Sequence, residues 1–220
     1  MTAPLALVYR GPAARPSECS DAVANLLRSS ARGFDVRFVG PDGELPLKQK
    51  ILADATIYAQ PGGGELGPAY RRMRKHRPTI RKYVADGGKY LGFCLGGYLA
   101  GATPGFGLLP GDTDQYVTSS DAVTQSTRDT IVEVFWRGQR RRMFFQDGPI
   151  FLLDSDAGVT VLARYSNNSI AALVAPFGNG QVAVVGPHPE ATSDWFADSG
   201  LSQEPSLDLG NNLIETVMDA

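Results

Sequence analysis

KYLGFCLGGYLA, Lys89 to Ala100, is the stretch on which the reading of this chain turns. Lys89–Phe93 is a short, mostly apolar run of the kind that fills a strand buried on both faces. Leu95–Ala100 opens a helix. Between them stands Cys94, flanked by Gly92 and Gly96. A sharp strand-to-helix turn needs small residues where the backbone crowds, and it pushes the central side chain outward. The helix that starts behind Cys94 places partial positive charge there, which favours thiolate, the nucleophilic form of cysteine. Cys94 is the candidate nucleophile. The bland alternative is a buried structural cysteine beside an ordinary glycine turn.

Outward from this turn the strand–helix rhythm repeats. Leu5–Tyr9 (LALVY) is a buried strand, broken by Arg10-Gly-Pro. Ser17–Arg32 has helical spacing at Ala22, Val23, Leu26 and Leu27, with Gly33 as its C-cap. Asp35–Val39 and Ala55–Gln60 are strands, the second ending in Pro61-Gly62-Gly63-Gly64. Pro68–Asp86 reads as helical, with a break near Pro78 and a stop at Gly87-Gly88. This alternation predicts an α/β fold built on a doubly wound, mostly parallel sheet with helices on both faces.

The second half changes character. Ile131–Trp136, Arg141–Phe145, Val159–Tyr165, Ile170–Ala175 and Gln181–Val185 are strand-like, and Phe177-Gly-Asn-Gly180 suits a hairpin turn. They are expected to be antiparallel additions to the sheet. Leu207–Met218 closes the chain as a helix, and Gly101–Thr130 reads as a long loop or flap. No repeat or linker interrupts residues 1–220, which are expected to form one domain.

Bulk properties exclude several function classes. The chain has 220 residues, 43% apolar and 20% charged, with a formal net charge of -2. That balance suits a soluble globular protein, and offers no bulk electrostatic attraction for nucleic acid or membrane. Arg137–Arg142 (RGQRRR) is a local basic cluster, read as a solvated hairpin tip in preference to a phosphate site. No apolar run approaches the roughly 20 residues that span a bilayer. Met1–Arg10 reads as a strand and not as a signal peptide, so the expected location is the cytoplasm. The two cysteines, Cys19 and Cys94, show no CxxC spacing and no His-rich spacing exists, so a zinc site is not expected; no cofactor is expected either. Cys19 lies inside a predicted helix and reads as structural.

A cysteine nucleophile needs a base, and this chain has two histidines. His76 lies among Arg74, Lys75 and Arg77, as on a solvated helix end. His188 sits in Gly186-Pro-His-Pro-Glu190, just past the apolar run Val182–Val185. Ligand crevices of doubly wound sheets lie outside the carboxyl ends of the strands, so Cys94 and His188 should converge on one edge. Glu190 can orient the imidazole as the third member of a triad. The loop Gly62-Gly63-Gly64, together with the N–H of Leu95, can offer donors to an oxyanion. Arg10, at the end of the first strand, is a candidate carboxylate clamp, and Asp147, in FFQDG, a candidate for holding an amine. Leu95 and Tyr98 border the pocket.

These motifs resemble class I glutamine amidotransferase-like domains, where a Cys-His-Glu triad works in a flavodoxin-like fold. The resemblance is closer to one branch, the N-terminal domain of biotin-protein ligases. LVYRGP around Val8, PGGGELGPAY from Pro61, IRKYVADGGKYLGFCLGGYLAG from Ile80, GLLPG from Gly107, FFQDGPIF from Phe144 and GPHPE from Gly186 carry it. It implies Cys94 as nucleophile, His188 as base and Glu190 as orienter, with Gly63 and the Leu95 N–H near the oxyanion. Two features depart from it. Gly97-Tyr98-Leu99 stands where glutamine-using members carry a Gln, and Leu95 replaces a smaller residue, which would narrow the pocket. These 220 residues also contain no GRGRxG-like biotinyl-adenylate loop, so ligation of biotin by this segment alone is not expected.

The expected function is a thiol hydrolase or amidotransferase that cleaves a C–N amide bond through a thioester. Its partners would be a small amide or amino-acid-like substrate and either a second copy of the chain or a synthase or ligase. The alternative is a catalytically weak binding or regulatory module on the same fold. A redox role for Cys94 is a third reading, disfavoured because a peroxide sensor needs no base of the His-Pro-Glu kind.

Overall fold

Strand β1 (Leu5–Tyr9) shows how the layers arise. Ala6 and Val8 join one hydrophobic core while Leu7 and Tyr9 join the other, because successive strand side chains point to opposite faces. The computed structural model describes residues 3–154 and 158–220; Met1 and Thr2, where the segment read as lacking a signal peptide begins, lie outside them. After β1 come α1 (Glu18–Ser29), β2 (Asp35–Val39), the short α2 (Gln49–Leu52), β3 (Ile57–Gln60), α3 (Leu66–Met73), α4 (Arg77–Ala85), β4 (Lys89–Phe93) and α5 (Leu95–Ala100). The helical stretch expected over 68–86 is two helices with a tight turn at Arg74–His76 between them. Pro78 falls in the first turn of α4, where its missing N–H breaks no hydrogen bond.

The second half supplies β5 (Gly111–Gln115), β6 (Thr130–Trp136), β7 (Gln139–Phe145), β8 (Pro149–Leu153), β9 (Thr160–Tyr165), β10 (Ile170–Phe177), β11 (Gly180–Val185), α6 (Ser193–Asp198) and α7 (Leu207–Asp219). The strand order is β2-β1-β3-β4-β11-β10-β9-β6-β7, with β8 beside β10 and β5 beside β8. Pairs from β2 to β11 are parallel and the rest are antiparallel. Helices α1 and α7 cover one face through Leu26, Leu213 and Ile214. Helices α3, α4 and α5 cover the other through Met73, Ile80 and Leu99. The fold is the expected α/β class.

One strand differs from expectation in a way that matters. Gln181–Val185, expected among the antiparallel additions, is antiparallel to β10 but runs parallel to β4, with Val185 beside Phe93. Cys94 and the 186–190 segment therefore leave the sheet side by side at one edge. Strands β5 and β8 are additions to the expected set. β5 reads GDTDQ, too polar for a strand on propensity, and is held by a full antiparallel register with β8. The basic cluster does lie on a hairpin. It turns at Arg137 and Gly138, whose φ values of 47° and 79° suit a two-residue turn. Its guanidiniums pair with Glu133 and Asp208 and reach Asn212 and Thr216. Among the described residues no helix is long and apolar enough to cross a membrane.

Candidate active site

Crowding enforces the turn at Cys94. The residue has φ 46° and ψ -104°, a backbone conformation rarely adopted by a side chain with a Cβ. A Cβ added at Gly92 would stand 2.6 Å from the Gly96 carbonyl oxygen, and one at Gly96 only 2.0 Å from that of Gln60. Both positions must be glycine for β4 and α5 to pack this closely. The Cys94 N–H donates to the Val185 carbonyl at 2.9 Å, tying the turn to the end of β11. Among the described residues, no acceptor takes the N–H of Leu95, Gly62 or Gly63.

His188 arrives from that same strand end. Its backbone N–H donates to the Phe144 carbonyl at 2.9 Å, which fixes the chain as it leaves the sheet. The ring is 3% exposed and lies edge-on to Phe144 and Trp195. Its Nδ1 is 2.8 Å from Glu190 Oε1, and Glu190 is 1% exposed. Burial works against charge on the ring, but the Glu190 carboxylate and Cys94 outweigh it, and the imidazole is pushed up to about 10. Glu190 Oε2 is buried without a hydrogen-bond partner.

Gly62 lies between Cys94 and His188. A Cβ there would meet His188 Cε1 at 2.9 Å and Cys94 Cβ at 3.4 Å. Gly63, with φ 92°, approaches the backbone of Arg15, where a Cβ would come within 2.3 Å of the carbonyl oxygen. Gly64 also has positive φ, but its missing Cβ faces open space. The loop is steadied by Gln60, which accepts from the Tyr58 hydroxyl at 2.8 Å and donates to the Ala13 carbonyl at 3.1 Å.

The turn after β7 closes over the sulfur. Cys94 Sγ donates to the Gln146 carbonyl at 3.4 Å. Asp147 has φ 48°, and both its carboxylate oxygens accept from Gln115 Nε2 at 3.1 Å. The Tyr98 hydroxyl donates to the Asp147 carbonyl at 3.1 Å. Tyr98 and Asp147 thus spend their polar atoms on holding this turn.

One expected site residue stands elsewhere, and the side chain of another turns into the core while its N–H stays at the turn. Arg10 pairs with Asp21 and lies 3.5 Å from the centre of the Phe38 ring, in a depression shared with Asp42. Its guanidinium is drawn to that carboxylate and ring, and does not line the cleft beside His188. The Leu95 side chain packs into the core between the sheet and α3–α5, so it does not narrow the cleft. Conversely, Cys19, read as merely structural, lines one wall of the cleft with Gly63 and His188. Burial first, then the charges of Glu190 and Cys94, push its thiol up to about 12. Its helical setting gave no signal of this. Phe144, Gln146 and Trp195 also line the cleft. The first two lie in the FFQDG stretch, but Trp195 carried no motif.

Residues 5–124, more than half of the chain, match the family described as "Biotin-protein ligase, N terminal". The chain belongs to the biotin-protein ligase N-terminal family. The matched segment contains Cys94 and the Gly62–Gly64 loop and ends before His188. The chain is 24% identical over 213 residues to a biotin–protein ligase of Schizosaccharomyces pombe (strain 972 / ATCC 24843), covering 86% of this chain and 33% of that protein. It thus spans about a third of this curated relative. Among solved structures, a glutamine amidotransferase from Thermotoga maritima superposes with a TM-score of 0.62 at 14% identity over 100% of both chains. A Thermoplasma acidophilum protein, described as a putative GMP synthase subunit, superposes with a TM-score of 0.59 at 12% identity, covering 98% of this chain and 100% of that one. These likenesses establish a glutamine amidotransferase-like fold.

Proposed function

We propose that residues 1–220 act as one cysteine-dependent amide hydrolase or amidotransferase-like unit on a small-molecule substrate. The observation that carries this reading is the buried His188–Glu190 pair, 2.8 Å apart, beside a strained Cys94 elbow. Cys94 attacks the amide carbonyl, and His188, raised to about 10, holds the proton that the thiol gives up. The N–H groups of Leu95 and of Gly62 or Gly63 receive the developing oxyanion. His188 protonates the leaving nitrogen, so the C–N bond breaks and a thioester remains. The same imidazole then takes a proton from water, which attacks the thioester to release the acid and restore the thiol. Glu190 stabilises the imidazolium at each transfer.

Incubation with a neutral electrophilic amide, iodoacetamide, followed by intact mass and peptide mapping, tests the nucleophile. A single adduct on Cys94, absent in Cys94→Ser, is expected. An equal adduct in that variant overturns the assignment. A second reading, a binding module with little turnover, is favoured by one observation: the Gln146 carbonyl lies 3.4 Å from Cys94 Sγ and covers the sulfur. Measurable hydrolysis across a panel of primary amides, lost in Cys94→Ala, rules that reading out.

A further inference from the structure

The cleft beside His188 has a volume of about 350 Å³ and divides into a floor and a rim. Its floor is made of the buried His188, Phe144 and Cys19, with the half-buried Trp195 as a wall. Its rim carries Glu18, Asp129 and Asp198, all exposed, and no Lys or Arg lines it. Among the described residues none of these carboxylates forms an ion pair; Asp129 accepts from Ser199 Oγ and Glu18 from Ser17 Oγ. Arg128 lines a neighbouring depression that shares Asp129, Gln146 and Ser199 with this one. Behind His188, Glu190 keeps a second oxygen, Oε2, buried without a hydrogen-bond partner. Arg10, the residue that would have held a substrate carboxylate, is committed to Asp21 and Phe38.

We infer that the substrate is an amide bearing a cationic group, an ammonium or guanidinium, and no free carboxylate. This rests on the hydrolase reading above and names its substrate class. With the amide carbonyl at Cys94, the cation lies against the Trp195 and Phe144 rings and toward the three rim carboxylates. An aromatic face attracts a desolvated cation, and the rim carboxylates add attraction, because the charge on the His188 ring is balanced by Glu190, 2.8 Å away, and Arg128 lies in the neighbouring depression. A free substrate carboxylate would face acidic groups with no guanidinium to receive it. Glutamine, which carries an α-carboxylate, fits this cleft worse than an amide lacking one.

Two matched series test the inference separately from the reading beneath it. The first measures alkylation of Cys94 by cationic bromoethylamine, neutral iodoacetamide and anionic iodoacetate, each normalised to glutathione and mapped by peptide mass. It needs no turnover. The cation-to-anion ratio should exceed that of glutathione by about tenfold at low ionic strength and shrink several-fold in high salt, because exposed charges are screened. In Glu18→Gln/Asp198→Asn the ratio should fall toward that of glutathione. The second series compares hydrolysis of δ-aminovaleramide, valeramide and glutaramate, with the cationic amide expected to be fastest. Equal or faster labelling by iodoacetate, or a ratio unmoved by salt and by the double variant, overturns the inference. Turnover of glutaramate at the rate of δ-aminovaleramide also overturns it and leaves the hydrolase reading intact. Cation-selective labelling with no turnover of any amide removes the hydrolase reading and supports charge selection by the cleft.

Discussion

Glu190→Gln isolates the charge that the site places behind His188, the proposed base. Glutamine keeps the shape and an acceptor for the Nδ1–H of His188, which lies 2.8 Å from Glu190 in a fully buried pair. What disappears is the countercharge. Burial of the ring, the largest influence on it, then acts against a weaker opponent, so the imidazole falls from about 10 toward or below its ordinary value. The sign for stability follows directly. A histidine raised in the folded state contributes its full stabilisation below the unfolded value of about 6.5, and loses it as pH rises through the folded value. The deficit of Glu190→Gln should therefore be greatest below about pH 6.5 and shrink toward pH 10. Amputating one member of a buried pair costs about 3–5 kcal/mol; with the hydrogen bond kept and the ring free to neutralise, about 2–4 kcal/mol is expected near neutral pH. Turnover should drop roughly a hundredfold to ten-thousandfold, as when a triad loses its acid.

Urea unfolding from pH 6 to 10 and NMR titration of the imidazoles measure both effects. The chain has two histidines, so His76→Gln assigns the spectrum. A Cys94→Ser background removes the sulfur's share and leaves that of Glu190. An imidazole of His188 that titrates at its ordinary value in both proteins, or a stability deficit that grows with pH, would refute the reasoning.

Gly62→Ala places a methyl 2.9 Å from His188 Cε1, without requiring positive φ. Steady-state kinetics should show turnover reduced by about tenfold to a hundredfold from a displaced imidazole, while urea unfolding shows a stability loss of only about 1 kcal/mol. Tyr98→Phe deletes the hydroxyl that holds the Asp147 carbonyl, at a cost of about 0.5–1.5 kcal/mol in the same assay. Because the Gln146 carbonyl beside it is then less firmly seated over the sulfur, iodoacetamide should alkylate Cys94 several-fold faster.

Local chemistry made much of this protein legible in the sequence. The spacing Gly92-Phe-Cys94-Leu-Gly96 states its own turn, because two glycines are needed where β4 and α5 crowd the backbones of Gly96 and Gln60. Scarcity of histidine, and the Pro-Glu that follows His188, singled out one imidazole. Apolar runs marked the central parallel strands β1, β3 and β4, since burial on both faces leaves a continuous signal, whereas the edge strand β2 alternates. What the sequence could not reveal depends on residues distant along the chain meeting in space. β5 is polar and is a strand only because β8 supplies its hydrogen bonds. β11 looks like any hairpin arm, yet its parallel register with β4 is what sets His188 beside Cys94. Arg10 ends a strand at the site's edge, but Phe38 and Asp21 claim its guanidinium. Cys19 appears in the sequence as one buried position of a helix, and tertiary packing puts it on the wall of the cleft. Cys94 and His188, the proposed nucleophile and base, could be singled out from neighbours in sequence, because a tight turn and a His-x-Glu pair are short-range geometry. The acidic rim, the aromatic wall and the fate of each charged side chain were decided by long-range packing.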